Sequence, residues 1–185
     1  MQKNRCNRAK VNIMLRQIIR ELWEQHGFWT RSFIVSAVDW LEDTELVTKR
    51  LLRNPADFAA VLINFYGEQN ANQFKDLLTE HLTIAADMVN NAKAGDMLRY
   101  SELKKDWFRN ADEIAAFLSS INPYWNRSEW QKMLHKHLDL VESEAVTRLN
   151  RQYEKNIAVF DEIENQSLLM ADYMSDGILR QFGYS

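Results

Sequence analysis

The chain has 185 residues, of which 46% are hydrophobic and 26% charged, with a formal net charge of −3 and only 5 Gly and 2 Pro. So few backbone breakers disfavour a turn-rich β fold and favour long helices. The mixed charge, with no basic block, removes the electrostatic reason for nucleic acid or an anionic membrane to be the main partner. The one cysteine, Cys6, excludes a disulfide within the chain and fits a reducing, cytoplasmic setting.

Residues 1–8 are polar and basic and are expected to be loose. Apolar residues then recur at helical spacing from about 10 to 41, through Val11, Leu15, Ile18, Leu22, His26, Trp29 and Phe33. Arg16 and Arg20 interrupt this stripe, so it resembles neither a signal peptide nor a membrane span. A short helical pair is expected over 43–66. Asn54-Pro55 restarts the chain there, since Asn caps a helix well and Pro suits the first helical position. Gly67 closes that pair. Longer helices follow at about 68–93, 97–121, 127–149 and 152–181, separated by Gly95-Asp96, Asn122-Pro123 and Asn150. The expected fold is therefore all-α: one up-down bundle of four to five long helices, with 43–66 as a short helical insertion.

Several polar residues fall on the apolar stripes. The last helix reads Tyr153, Ile157, Phe160, Glu164, Ser167, Ala171, Met174, Ile178 in alternating steps of four and three, which places a carboxylate at its middle. His26, His81 and His137 stand near the midpoints of three other helices, as Asn110 does in its own. In a bundle of similar helices midpoints share one depth, so these side chains are expected to converge. Three imidazoles and a carboxylate suit one zinc, iron or manganese ion. The expected ligands are His26, His81, His137 and Glu164, with Glu144 as a fifth and with Asn110 and Glu80 supporting them. The rival reading for each histidine is a hydrogen-bonded core residue. A further rival is a non-enzymatic scaffold or small-ligand bundle whose inner polar groups pair only with one another.

Other chemistry has less support. No Glu-x-x-His pair, His-Glu-x-x-His, nucleophile elbow or phosphate loop occurs, and His135 and His137 point to different sides of one helix. Trp29, Trp107 and Trp130 lie near the polar layer as candidate walls of a cavity. Tyr124-Trp125 is expected on a loop, as a partner contact or a folded-back lid. A homodimer completing its core through the 43–66 segment is a third organisation. Gln25-His26, Glu80-His81 and Lys136-His137 echo one another, but two residues per copy do not establish duplication.

The segments Gln25-His26-Gly27-Phe28-Trp29-Thr30-Arg31, Tyr66-Gly67-Glu68, Leu78-Thr79-Glu80-His81-Leu82, Asn110-Ala111-Asp112 and Ile121-Asn122-Pro123-Tyr124-Trp125 resemble an uncharacterised family of small bacterial all-helical proteins. The resemblance spans about residues 15–180 and implies an all-helical fold and no established reaction. The family carries Glu-His where this chain has Gln25-His26. The label acetylglutamate kinase attached to some relatives has no support in these residues, which lack a glycine-lined phosphate site. Helices with a histidine followed by an aromatic also suggest ferritin-like and DinB-like metal bundles, by analogy.

Overall fold

The structure, a computed structural model, describes residues 2–184, with side chains described from Arg8 onward. The Cys6 side chain, on which the redox expectation rests, lies outside the described residues. The fold is an all-α helical bundle of α1 (Gln2–Val38), α2 (Thr44–Leu51), α3 (Asn54–Ala94), α4 (Met97–Ile121), α5 (Arg127–Leu149) and α6 (Tyr153–Gln181). None of these helices is long and apolar enough to cross a membrane. Helix α1 already starts at Gln2, which corrects the expectation of a loose segment at 1–8. That stretch has no Gly or Pro and is rich in good helix formers, so the helix runs on through it.

Helix α3 bends at Gly67, whose φ of 74° and ψ of 172° leave the helical region at the cost only glycine avoids. Counting its halves separately, the bundle consists of three helical hairpins of one design. The first is α1 with α2 and the first half of α3. The second is the rest of α3 with α4, and the third is α5 with α6.

The shared design is legible in the buried positions. Seven residues before each histidine stand Ile19, Phe74 and Trp130, all buried at 1% exposure or less. Three before stand Trp23, Leu78 and Leu134, also buried. On the returning helices a repeat of 56 residues carries Ala59 to Ala115 and Ala115 to Ala171. It also relates Val47, Leu103 and Val159, then Leu51, Trp107 and Ile163, then Leu62, Leu118 and Met174, every one of them buried. The identities differ while burial at helical spacing is kept, so each hairpin presents the same inner face.

This register corrects the reading of 43–66 as an insertion. The segment is the returning helix of the first hairpin, equivalent to α4 and α6, broken in the middle. Pro55 breaks it where Ala111 and Ser167 stand in the other two. Proline has no N–H for the helical ladder and its ring clashes with the carbonyl four residues back, so α2 ends at Leu51 and α3 begins at Asn54.

Elsewhere the expected punctuation holds. The Asn126 side chain accepts from the backbone N–H groups of Ser128 and Glu129, and the Asp96 side chain accepts from that of Arg99. The Tyr124-Trp125 pair divides: Tyr124 is half-exposed, and Trp125 folds back to 2% exposure, its Nε1 donating to the Tyr173 carbonyl at 3.3 Å.

Candidate functional site

His26, His81 and His137 come together, one from each hairpin, with exposures of 2%, 3% and 1%. The His26 ring centroid lies 5.5 Å from that of His137 and 6.3 Å from that of His81. Burial lowers His26 to about 4; burial and then the neighbouring His26 lower His81 to about 3. Burial, with His26 and His81 beside it, pushes His137 well below the usual imidazole range. All three are therefore neutral near pH 7.

Two of the three are held in the same way. Asn54 Nδ2 donates to the Leu22 carbonyl at 3.0 Å, and its Oδ1 faces His26 Nδ1 at 3.2 Å. Asn110 Nδ2 donates to the Leu77 carbonyl at 3.1 Å, and its Oδ1 faces His81 Nδ1 at 3.0 Å. In both cases the backbone carbonyl belongs to the residue four before the histidine. A carbonyl only accepts, which fixes each amide's orientation. The Asn oxygen is then an acceptor too, so His26 and His81 each carry their proton on Nδ1. Their Nε2 atoms then keep a lone pair.

The third hairpin uses a longer amide. Gln166 Nε2 donates to the Met133 carbonyl at 3.0 Å, again four residues before the histidine, but nothing bonds to His137 Nδ1. Around this layer Trp23 stands edge-on to His26 at 5.6 Å, and Trp107 lies against His81 at 5.3 Å. Trp29 instead lies beneath the Arg50 guanidinium, and Trp130 packs on Trp125 and Tyr173.

The carboxylates do not join the histidines. Glu164 is exposed, which corrects the expectation that it meets the three histidines inside the bundle. The buried stripe through that part of α6 runs Asn156, Val159, Ile163, Ser167, leaving Ile157 and Glu164 one step round the helix in solvent. Glu144 is buried, and its Oε1 accepts from Arg31 Nη1 at 2.6 Å. Burial nevertheless raises Glu144 to about 7, outweighing the Arg31 cation beside it. It stands two turns, about 10 Å, along α5 from His137. Glu80 is exposed, and its Oε2 lies 3.3 Å from Asn110 Nδ2, at the rim of the histidine layer. Among the described residues no group of three or more His, Cys, Asp or Glu is already placed to hold one metal ion.

Asn54 is the residue of this layer that sequence reading missed, because Asn before Pro reads as a helix start. Its equivalence to Asn110 was the available signal: each amide follows its histidine at nearly the same distance, 28 and 29 residues.

One turn beyond the histidines lies an apolar cavity of about 40 Å³ between α1, α3, α4 and α5. Thr30, Ala85 and Val141, each four residues after its histidine, line it together with Trp107. Thr30 Oγ1 and Trp107 Nε1 are buried without a partner. Comparison with family models, curated proteins and solved structures returns no match for this chain.

Proposed function

We infer that this protein binds one transition-metal ion, zinc, iron or manganese, through His26, His81 and His137. The observation that carries this reading is the pair of locked tautomers at His26 and His81. A ligating imidazole commonly gives its other ring N–H to an oxygen that fixes its orientation, and here two asparagine carbonyls occupy that position. With metal–nitrogen bonds of about 2.0–2.1 Å, two imidazoles on one tetrahedral ion have ring centroids about 5 Å apart. The observed 5.5 Å is close to this, and 6.3 Å asks for a small inward movement of His81. Neutral imidazoles are the ligating form, so no proton has to be displaced near pH 7. With Glu164 in solvent and Glu144 engaged by Arg31, the ligand set contracts to three nitrogens. Three nitrogens would leave a fourth coordination position to be filled by water or a small ligand.

A second reading has its own support in the lack of an already assembled ligand group. In it, the imidazole–carboxamide pairs are a neutral polar core that fixes how the hairpins register. One experiment separates the two. The protein is purified without a metal-affinity step, analysed for first-row metals, and titrated with Co²⁺ while visible absorption is recorded. The metal reading expects about one equivalent, bound about 10–100-fold more weakly in Asn54→Ala and Asn110→Ala. Less than about a tenth of an equivalent, with no Co²⁺ band, establishes the scaffold reading instead.

A further inference from the structure

The three hairpins differ at one seam, where α6 meets α1. The residue after the histidine is a buried leucine in two of them, Leu82 and Leu138, and is Gly27 in the first. Across from Gly27 stands Ser167, equivalent to Pro55 and Ala111. Its Oγ lies 3.6 Å from where a Cβ on Gly27 would stand. Ser167 is 1% exposed and its hydroxyl has no partner. Beside Gly27 and Ser167 lies a groove of about 370 Å³, within the size range of small-molecule sites.

Glu21, Glu24, Gln25 and Glu164 line this groove, with Phe28 and Phe160 on its walls. Leu52 and Phe108 stand where Glu164 does in the other hairpins, so only at this seam does the returning helix add a carboxylate at that position. Of the neighbouring guanidiniums, Arg31 is paired with Glu144 and Arg20 with Asp172, while Arg50 donates to the Gln25 side-chain oxygen and is, among the described residues, the one cation left facing this side. None of Glu21, Glu24 and Glu164 forms an ion pair within 4 Å among the described residues, although Glu21 accepts from Gln25 Nε2 at 3.0 Å and Glu24 lies within electrostatic reach of Arg20, so the groove keeps an excess of negative charge.

We propose that the α1–α6 groove is a binding site for a small organic ammonium ion. The carboxylates supply the counter-charge, the half-exposed Phe28 ring offers a face to the cation, and the Ser167 hydroxyl accepts an N–H at the floor. The carboxylates ring an open groove and do not converge on a point, which suits an extended organic cation better than a metal ion. This site is separate from the histidine layer and does not depend on metal being bound there.

The test is calorimetric titration of the full chain with putrescine, repeated with Mg²⁺, at low ionic strength. Saturable putrescine binding is expected, weakened about tenfold in Glu164→Gln and in Glu24→Gln. Gly27→Leu, which crowds Ser167 at the floor of the groove, is expected to abolish it. The two surface substitutions leave the core untouched, so they remain decisive if Gly27→Leu fails to fold. The proposal is overturned if putrescine shows no saturation up to about 20 mM, if Glu164→Gln and Glu24→Gln bind as tightly as the unaltered chain, or if Mg²⁺ displaces putrescine at equal charge concentration.

Discussion

The second and third hairpins solve one problem with different completeness. In the second, Asn110 closes a relay from the His81 ring through a carboxamide to the Leu77 carbonyl. In the third, Gln166 reaches the corresponding carbonyl of Met133 and leaves the His137 ring unanswered. The hydrogen bonds at His26 and His81 partly oppose what burial does to those imidazoles, and no such bond acts on His137. A buried ring nitrogen without a partner carries its desolvation penalty in full. The third hairpin is thus the weak member of the polar layer, and it is also where Glu144 replaces the apolar Phe33 and Met88 of the other two.

The largest expected effect comes from titrating all three hairpins together. Each histidine is held below its ordinary value, so the unfolded chain binds more protons below about pH 6.5. Their contribution is complete above that pH and is lost as pH falls. Glu144 is held at about 7, above its ordinary value, so its contribution has the opposite sign: present below about pH 4.5 and lost as pH rises toward 7. Three protons against one leave a net uptake of two on unfolding. Stability is expected to fall by roughly 3–4 kcal/mol between pH 6 and 4.5, as read from urea midpoints. Glu144→Gln removes the opposing proton and steepens that slope; an unchanged slope would mean that Glu144 is ionised in the fold throughout.

Next in size is the cost of opening a closed relay. Asn54→Ala or Asn110→Ala strands a buried ring N–H and removes an amide that is itself buried. We expect each to cost about 2–3 kcal/mol at pH 8. Gln166→Ala, from a half-buried position whose histidine is already unpartnered, should cost less than about 1 kcal/mol. Equal losses in all three would show that the amides matter only as packing.

A smaller effect tests the space between hairpins. Gly177 occupies the position of Phe65 and Ile121, and a Cβ there would meet Trp125 Nε1 at 1.9 Å. Glycine makes room for the folded-back tryptophan that seals this end. Gly177→Ala gains about 1 kcal/mol of helix propensity and yet should lose about 2 kcal/mol overall through overpacking. A stabilised variant with unshifted Trp fluorescence would mean that Trp125 does not occupy that space.

The three histidines were legible because each sits mid-helix on an apolar stripe, a position where an exposed imidazole has no reason to be. Glu164 was misread because steps of three and four fit two adjacent phases of one helix. The stripe through Ala171 and Met174 is real, but followed toward the N-terminus it passes through Ile163 rather than Glu164. The threefold design was hidden by its own tolerance. Packing requires an apolar group at each repeated position and not the same one, so Phe58, Ile114 and Met170 are equivalents without resembling one another. Pro55 added to this by dividing one returning helix into two pieces that read as an insertion.

The sharpest use of the comparison is to make the third hairpin like the other two. Gln166→Asn shortens the amide by one methylene, to the length used at positions 54 and 110. If the hairpins share one geometry, the shorter side chain still donates to the Met133 carbonyl and places its oxygen against His137 Nδ1. The ring then gains an acceptor, its tautomer becomes fixed, and its pKa moves back up toward that of His26. The expected gain in stability is about 1 kcal/mol, the net value of one buried hydrogen bond. Nitrogen chemical shifts of the His137 ring report the tautomer directly, whatever the stability change. A ring whose shifts do not move in the variant would mean that α6 stands too far from α5 for the shorter amide to reach, and that the extra methylene of Gln166 spans a wider gap.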